Sequence, residues 1–262
     1  MTGSPLLEVR GCSVDYRLPN GEVLHALREV SLTLAAGETL GVVGESGSGK
    51  STLARAILQL IAVSAGGMYW QGSDLATLGG ERLRAFRRQV QCVFQDPLDA
   101  LNPRLTVGES VAEPLRYLRP ELSGPQRRGR VAAMLEQVGL AAEQANRYPH
   151  EFSGGQCQRV GIARALVCEP QLVICDEPVS ALDVSVQAQI INLLLDLRAR
   201  HGLALIFISH DLNVVRHLCQ RVLVLHHGSV VETAPVAQLF EAPAHPYTQR
   251  LLAAIPRLPR AD

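Results

Sequence analysis

The sequence predicts an α/β fold: a mostly parallel sheet with an antiparallel β edge and an inserted helical segment. Three observations predict it. Short apolar runs alternate with stretches of helical spacing, the order that builds a largely parallel sheet. A glycine-rich stretch ending in Lys50-Ser51 joins an apolar run to a helical one. Residues 97–168 read as loops and helices with no convincing strand, so they form an insertion. With 262 residues, 47% of them hydrophobic, the chain can bury a large core.

Taken in order, Leu7–Tyr16 alternates and reads as an edge strand, with Leu32–Leu34 as another. Thr39–Val43 is a short apolar run ending at Gly44 and reads as a buried strand. Lys50–Leu60 has helical spacing. Met68–Trp70 suggests a strand, Arg82–Gln89 a helix and Gln91–Phe94 a strand. In the insertion, Val107–Leu118 and Gln126–Val138 are helical, with breaks at Pro120 and Gly124-Pro125. Strands return at Leu172–Cys175, Leu203–Ile208 and Val222–Leu225, with helices at Val184–Arg200 and Leu212–Cys219 between them.

Composition excludes several classes. Lys+Arg and Asp+Glu are both 25, so a nucleic-acid binder's basic excess is missing. Aromatics are 4%, too few for base-stacking platforms. The cysteines Cys12, Cys92, Cys157, Cys168, Cys175 and Cys219 have no metal-type spacing and read as reduced, mostly buried thiols of a cytosolic protein. No signal peptide is expected. The best apolar runs, Ile57–Val63 and Leu203–Ile208, fall short of the roughly 18 residues a spanning helix needs. A membrane role would need other chains to cross the bilayer.

Every basic residue except Lys50 is arginine. Lys50 stands in Gly44-Glu45-Ser46-Gly47-Ser48-Gly49-Lys50-Ser51, a full match to G-x-x-x-x-G-K-[ST] between a strand and a helix. The glycines allow positive φ, and successive N–H groups at the helix start face an anion. Lys50 supplies a compact charge between β- and γ-phosphates, Ser51 a hydroxyl for Mg²⁺, and Thr52 a hydroxyl near the α-phosphate.

Leu172-Val173-Ile174-Cys175-Asp176-Glu177 is an apolar run ending in two carboxylates. Asp176 is suited to hold Mg²⁺ through water, and Glu177 to act as general base on the water attacking the γ-phosphate. His210 follows another apolar strand, at the sheet edge where ligands of open α/β folds bind. The other histidines, including His226-His227, read as surface or loop residues. Gln95 follows the strand Gln91–Phe94 and is placed to reach Mg²⁺ or the attacking water. Phe152-Ser153-Gly154-Gly155-Gln156 precedes the helix Cys157–Cys168, with Ser153 a good N-cap. It makes a second anion loop without a lysine, which a two-chain sandwich explains: each loop closes over the other subunit's ATP. The arginine runs Arg82–Arg88 and Arg127–Arg130 read as solvated helix faces.

The ordered set GESGSGKS, Gln95, FSGGQ, LVICDEP, SALD and SHD resembles the nucleotide-binding domain of ABC transporters over nearly the whole chain. The resemblance implies a RecA-like P-loop NTPase core at residues 1–95, including an N-terminal β subdomain. It implies an α-helical signature subdomain at 96–168, the second part of the core at 169–234, and a short subfamily tail at 235–262. Tyr16 would stack on adenine. Ser153, Gly154, Gly155 and Gln156 would form the signature loop, and Ser180–Asp183 would cross a dimer interface. His210 would be the switch histidine, and Gln95 would open the loop that contacts the membrane subunits.

Phe94-Gln95-Asp96-Pro97, Leu101-Asn102-Pro103-Arg104 and His245-Pro246-Tyr247-Thr248 resemble the dipeptide, oligopeptide and nickel importers. That implies ATP and Mg²⁺ as ligands and a second, related ATPase subunit or a second copy. It also implies two transmembrane permease subunits, a separate substrate-binding protein and a place on the cytoplasmic face of the inner membrane. Peptides are the first cargo expected, with nickel or another chelated metal as the alternative. A soluble ABC ATPase of DNA repair or translation lacks support, because no long coiled-coil insertion or second ATPase domain is present. A P-loop GTPase fails too, since N-K-x-D needs a second lysine. The sequence departs from the family at Phe152, where leucine is usual, and at Cys157, where arginine is usual. With no cysteine after Cys219, no iron–sulfur cluster is expected.

Overall fold

A computed structural model describes residues 4–96 and 100–254. Pro97 of the subfamily motif and the last eight positions of the tail lie outside the described residues.

The chain folds around two sheets. In the first, β1 (Leu7–Arg17) pairs antiparallel with β2 (Val23–Leu34) and β4 (Ala65–Trp70), and the two-residue β5 (Ser73–Asp74) completes the order β2-β1-β4-β5. The second sheet runs β10-β9-β3-β8-β7-β6. Its parallel members are β3 (Thr39–Val43), β6 (Val90–Val93), β7 (Leu172–Asp176), β8 (Ala204–Ile208) and β9 (Arg221–His226). Strand β10 (Ser229–Pro235) closes one edge antiparallel.

Both faces of the sheet's inner strands β3, β7, β8 and β9 are buried, so these strands are near-continuous apolar runs rather than alternating ones. Side chains still alternate between two cores. Leu172 and Ile174 of β7, Ile206 and Ile208 of β8, and Leu223 and Leu225 of β9 enter the core shared with the antiparallel sheet. Val173, Cys175, Leu205, Phe207, Val222 and Val224 enter the opposite core, among the long helices.

Those helices are α3 (Val107–Leu118), α4 (Gly124–Gln137), α5 (Gly154–Leu166), α6 (Val184–His201) and α7 (Leu212–Leu218). Helices α1 (Lys50–Ile57) and α2 (Gly80–Gln89) come earlier in the chain, and α8 (Val236–Glu241) and α9 (Pro246–Ala253) end it. Among the described residues no strand falls between Val93 and Leu172. Helix α3 starts with a capping box in which Thr106 and Glu109 satisfy each other's backbone N–H. Pro125 sits in the first turn of α4, where a missing N–H costs nothing.

Four sequence expectations change. Strand β1 is interior, not an edge, because alternation reports two different faces and not how many neighbours a strand has. Strand β2 begins at Val23 rather than Leu32: Glu29 at φ 49° interrupts its alternation, and Val23, Leu24 and His25 are exposed. Helix α1 stops at Ile57, with Gln59 at φ 56° turning the chain out of it. Strand β10 was not expected. It folds back from β9 through His227 (φ 47°) and Gly228 (φ 80°), the backbone of a two-residue hairpin turn. All six cysteines are free, and all but the half-buried Cys92 are buried.

Candidate functional site

The phosphate loop leaves the buried end of β3 and opens α1. Gly44 has φ 153°, and a Cβ there would stand 2.2 Å from the carbonyl oxygen of Leu225. Gly49 caps α1 at φ 107°, and its Cβ would meet Ala26 O at 2.7 Å. Side chains at either position would push the loop off the strands that support it. Ser46, Gly47, Gly49, Lys50, Ser51 and Thr52 line a cleft of about 520 Å³. Gly44, Glu45 and Ser48 are not part of that lining and support the loop from behind: Ser48 is buried, its N–H donates to Glu45 O, and its own carbonyl accepts from Gly228 N.

Lys50 is 6% exposed. Its Nζ donates to Gly44 O at 2.9 Å and Glu45 O at 2.8 Å, so the ammonium spans the loop. Burial lowers its pKa, and the charges of Glu177 and Asp176 oppose that shift.

Asp176 ends β7, where its Oδ1 accepts from Ser51 Oγ at 3.1 Å. Burial pushes its carboxyl up, and the Ser51 hydroxyl pulls the other way. Glu177 follows with φ 49°, a left-handed conformation unusual for a non-glycine residue. The conformation is held from both sides. Its N–H donates to Ile208 O at 3.0 Å, and its carbonyl accepts from Ser180 Oγ at 3.1 Å. Glu177 lines the cleft, and its Oε2 lies 3.1 Å from Nδ1 of the exposed His210. Gln95 lines the same cleft from the end of β6, and Tyr16 from β1.

The cleft thus gathers the phosphate loop, Tyr16, Gln95 and Glu177, with Asp176 and His210 bonded to its lining. Ser153, Gly154, Gly155 and Gln156 are not among the lining residues. They start α5 instead, where Ser153 and Gln156 form a capping box: Gln156 Oε1 accepts from Ser153 N at 2.9 Å. Cys157, next along, is fully buried with its thiol on Pro149 O at 3.5 Å. Burial pushes that thiol up, so the position adds no charge beside the loop. Leu24, His25, Ala26, Arg28, His227 and Gly228 also line the cleft. His227, expected as a surface or loop residue, is exposed in the β9–β10 turn and lines the cleft as well. The β9–β10 turn that places it there is marked in the sequence by His227-Gly228, a weak hairpin signal.

The phosphate loop, Gln95, Asp176, Glu177 and His210 thus meet around one cleft, and the Ser153–Gln156 motif stands outside it. A family model described as ABC transporter matches residues 27–180, more than half of the chain. The chain belongs to the ABC transporter family. As an ABC ATP-binding subunit it is an ATPase and takes ATP. A second family model, described as oligopeptide/dipeptide transporter, C-terminal region, matches residues 231–262. The chain is 52% identical to the oligopeptide transport ATP-binding protein OppF of Escherichia coli (strain K12), over 96% of this chain and 78% of that one. It is 50% identical to a putative peptide import ATP-binding protein of Brucella ovis, over 98% and 80%. Among solved structures it is similar to the ATP-binding cassette MJ0796, a dimer in a post-hydrolysis state bound to ADP and Pi. There the TM-score is 0.79 and the identity 34%, over 88% of this chain and 98% of that one. Among the described residues, no helix is long and apolar enough to cross a membrane.

Proposed function

We propose that this ABC ATPase drives an importer of oligopeptides from the cytoplasmic face of the inner membrane, as a peripheral subunit. The relatives' names and the C-terminal family match support peptides as cargo over nickel. One observation carries the mechanism. Glu177 and the phosphate loop share a cleft, while the Ser153–Gln156 loop lies apart from it. A second subunit would bring its own Ser153–Gln156 loop over this cleft. Val184 supports that contact: it follows the Ser180–Asp183 loop and is 82% exposed.

In the proposed step, Tyr16 stacks on adenine. The loop N–H groups and Lys50 hold the phosphates, so the ammonium exchanges its two carbonyl partners for phosphate oxygens. Ser51 and Asp176, with Gln95, offer a hydroxyl, a carboxylate and an amide oxygen, hard donors that fit Mg²⁺. Bound there, Mg²⁺ would neutralise charge on the β- and γ-phosphates. Glu177 takes a proton from water as the water oxygen bonds to the γ-phosphorus. The bond to the β–γ bridging oxygen breaks, and ADP leaves. His210, at 3.1 Å from Glu177 Oε2, holds that carboxylate in place.

On this reading the chain divides at 95, 168 and 234. The strand-free stretch between β6 and β7 supports residues 96–168 as the helical subdomain. A groove of about 430 Å³ between α2, β6 and α3 supports permease docking, because Leu60, Phe94 and Tyr117 line it and are exposed. Phe94 adjoins Gln95, so a docked permease would feel changes in the cleft. Replacing Glu177 by Gln should preserve ATP binding, abolish turnover and accumulate an ATP-bound dimer in size-exclusion chromatography. Wild-type turnover by Glu177→Gln would remove Glu177 from the mechanism.

A further inference from the structure

The segment His245-Pro246-Tyr247-Thr248 has no part in the chemistry above, yet it reaches the phosphate loop. Tyr247 is 3% exposed in α9, and its hydroxyl accepts the backbone N–H of Glu45 at 3.0 Å. Its ring lies against His226, with centroids 3.9 Å apart, and His226 packs on His227 at 4.1 Å. His227 lines the cleft. Helix α9 therefore meets the site twice, at the loop backbone and through the histidine pair.

The rest of the segment aims that hydroxyl. Nδ1 of His245 caps α9 by accepting Tyr247 N at 3.1 Å, and Pro246 takes the first helical position. The Glu232 carboxylate on β10 accepts Ala244 N at 2.9 Å and His245 N at 3.0 Å, tying the helix start to the sheet. Thr248 is fully buried.

Glu45 sits between Gly44 and the glycines at 47 and 49, so the loop has little stiffness of its own. Its carbonyl accepts from Ser48 N and from Lys50 Nζ, and its N–H is taken by Tyr247. When the ammonium turns to phosphate, the Lys50 bond is lost and the Tyr247 bond remains. Phosphate affinity depends on loop N–H groups pointing to one place, so fixing one peptide orients its neighbours. We propose that Tyr247 is a positioning residue for nucleotide binding: its hydroxyl, delivered by α9, fixes the Glu45 peptide and presets the phosphate loop for the triphosphate.

The proposal rests on the loop being the ATP site, and the test separates the two. Fluorescent Mg-ATP is titrated into the full chain and into Tyr247→Phe, which keeps the ring and loses only the hydroxyl. Titration at low temperature, with far-UV circular dichroism showing both chains folded, keeps a stability difference out of the affinity. The expected result is a Kd about five-fold weaker in Tyr247→Phe, the size of one neutral hydrogen bond. In turnover, KM for ATP should rise similarly while kcat stays within about two-fold. Equal Kd values in the two chains would overturn the proposal, whatever the melting temperatures. A wild-type chain that binds no ATP would instead overturn the assignment of the ATP site itself.

Discussion

Glu177 carries two burdens at the residue scale. Its carboxylate is the proposed base, and its backbone stands at φ 49°. That conformation costs a non-glycine residue about 1 kcal/mol and costs glycine little. Glu177→Gly should therefore raise the melting temperature by about 2 °C while abolishing ATP turnover. A lower melting temperature would show that the side chain stabilises more than the backbone strain costs. Lys50, Ser51, Asp176 and Glu177 were legible in the sequence because their motifs are local, each placed by the strand just before it. Tyr247 was legible as a subfamily mark and not as a neighbour of Glu45. That contact joins residues 202 apart in the chain, and no local pattern encodes it. His227 was legible as a surface or loop residue and not as part of the cleft lining, because that place depends on β10 returning beside β9.

At the scale of elements, the signature loop depends on how closely α5 approaches α6. A Cβ on Gly155 would stand 2.5 Å from Val186 Cγ1. Gly155→Ala should push the two helices apart and cost about 2 kcal/mol in a denaturant titration. Adding Val186→Ala should recover part of that loss, because the clashing methyl is gone. Independent, additive effects would mean that the helices do not meet at this pair. Helices α3 and α6 were legible at both ends or nearly so, helped by capping signals and a glycine stop at Gly202. The first half of β2 was not, because its exposed Val23–His25 stretch carries no burial pattern. Strand β10 was not, because its residues are mostly half-buried and give neither a clean alternation nor an apolar run.

For the whole molecule, thiols buried in both cores make stability pH-dependent at the alkaline end. Burial pushes the thiols of Cys12 and Cys168 up to about 11, and those of Cys92 and Cys219 up to about 12. In the unfolded chain they ionise near the ordinary value of about 8.5. Above that pH the unfolded state sheds protons that the native state keeps, so stability present at neutral pH is lost as pH rises toward 11–12. Melting temperatures should hold level from pH 7 to about 8 and fall beyond it, with a shallower fall in Cys219→Ala. A level profile to pH 10 would contradict the burial of these thiols. The same scan is simplified by a chain with a single lysine. That lysine has a practical consequence for anyone handling the protein. Amine-directed coupling, whether to a sensor surface, a dye or a crosslinker, has only the α-amino group and Lys50 to attack. Where it takes Lys50, it consumes the cation at the centre of the site. Over the rest of the surface such reagents are silent, so contacts with neighbouring chains need acid- or thiol-directed probes installed by design.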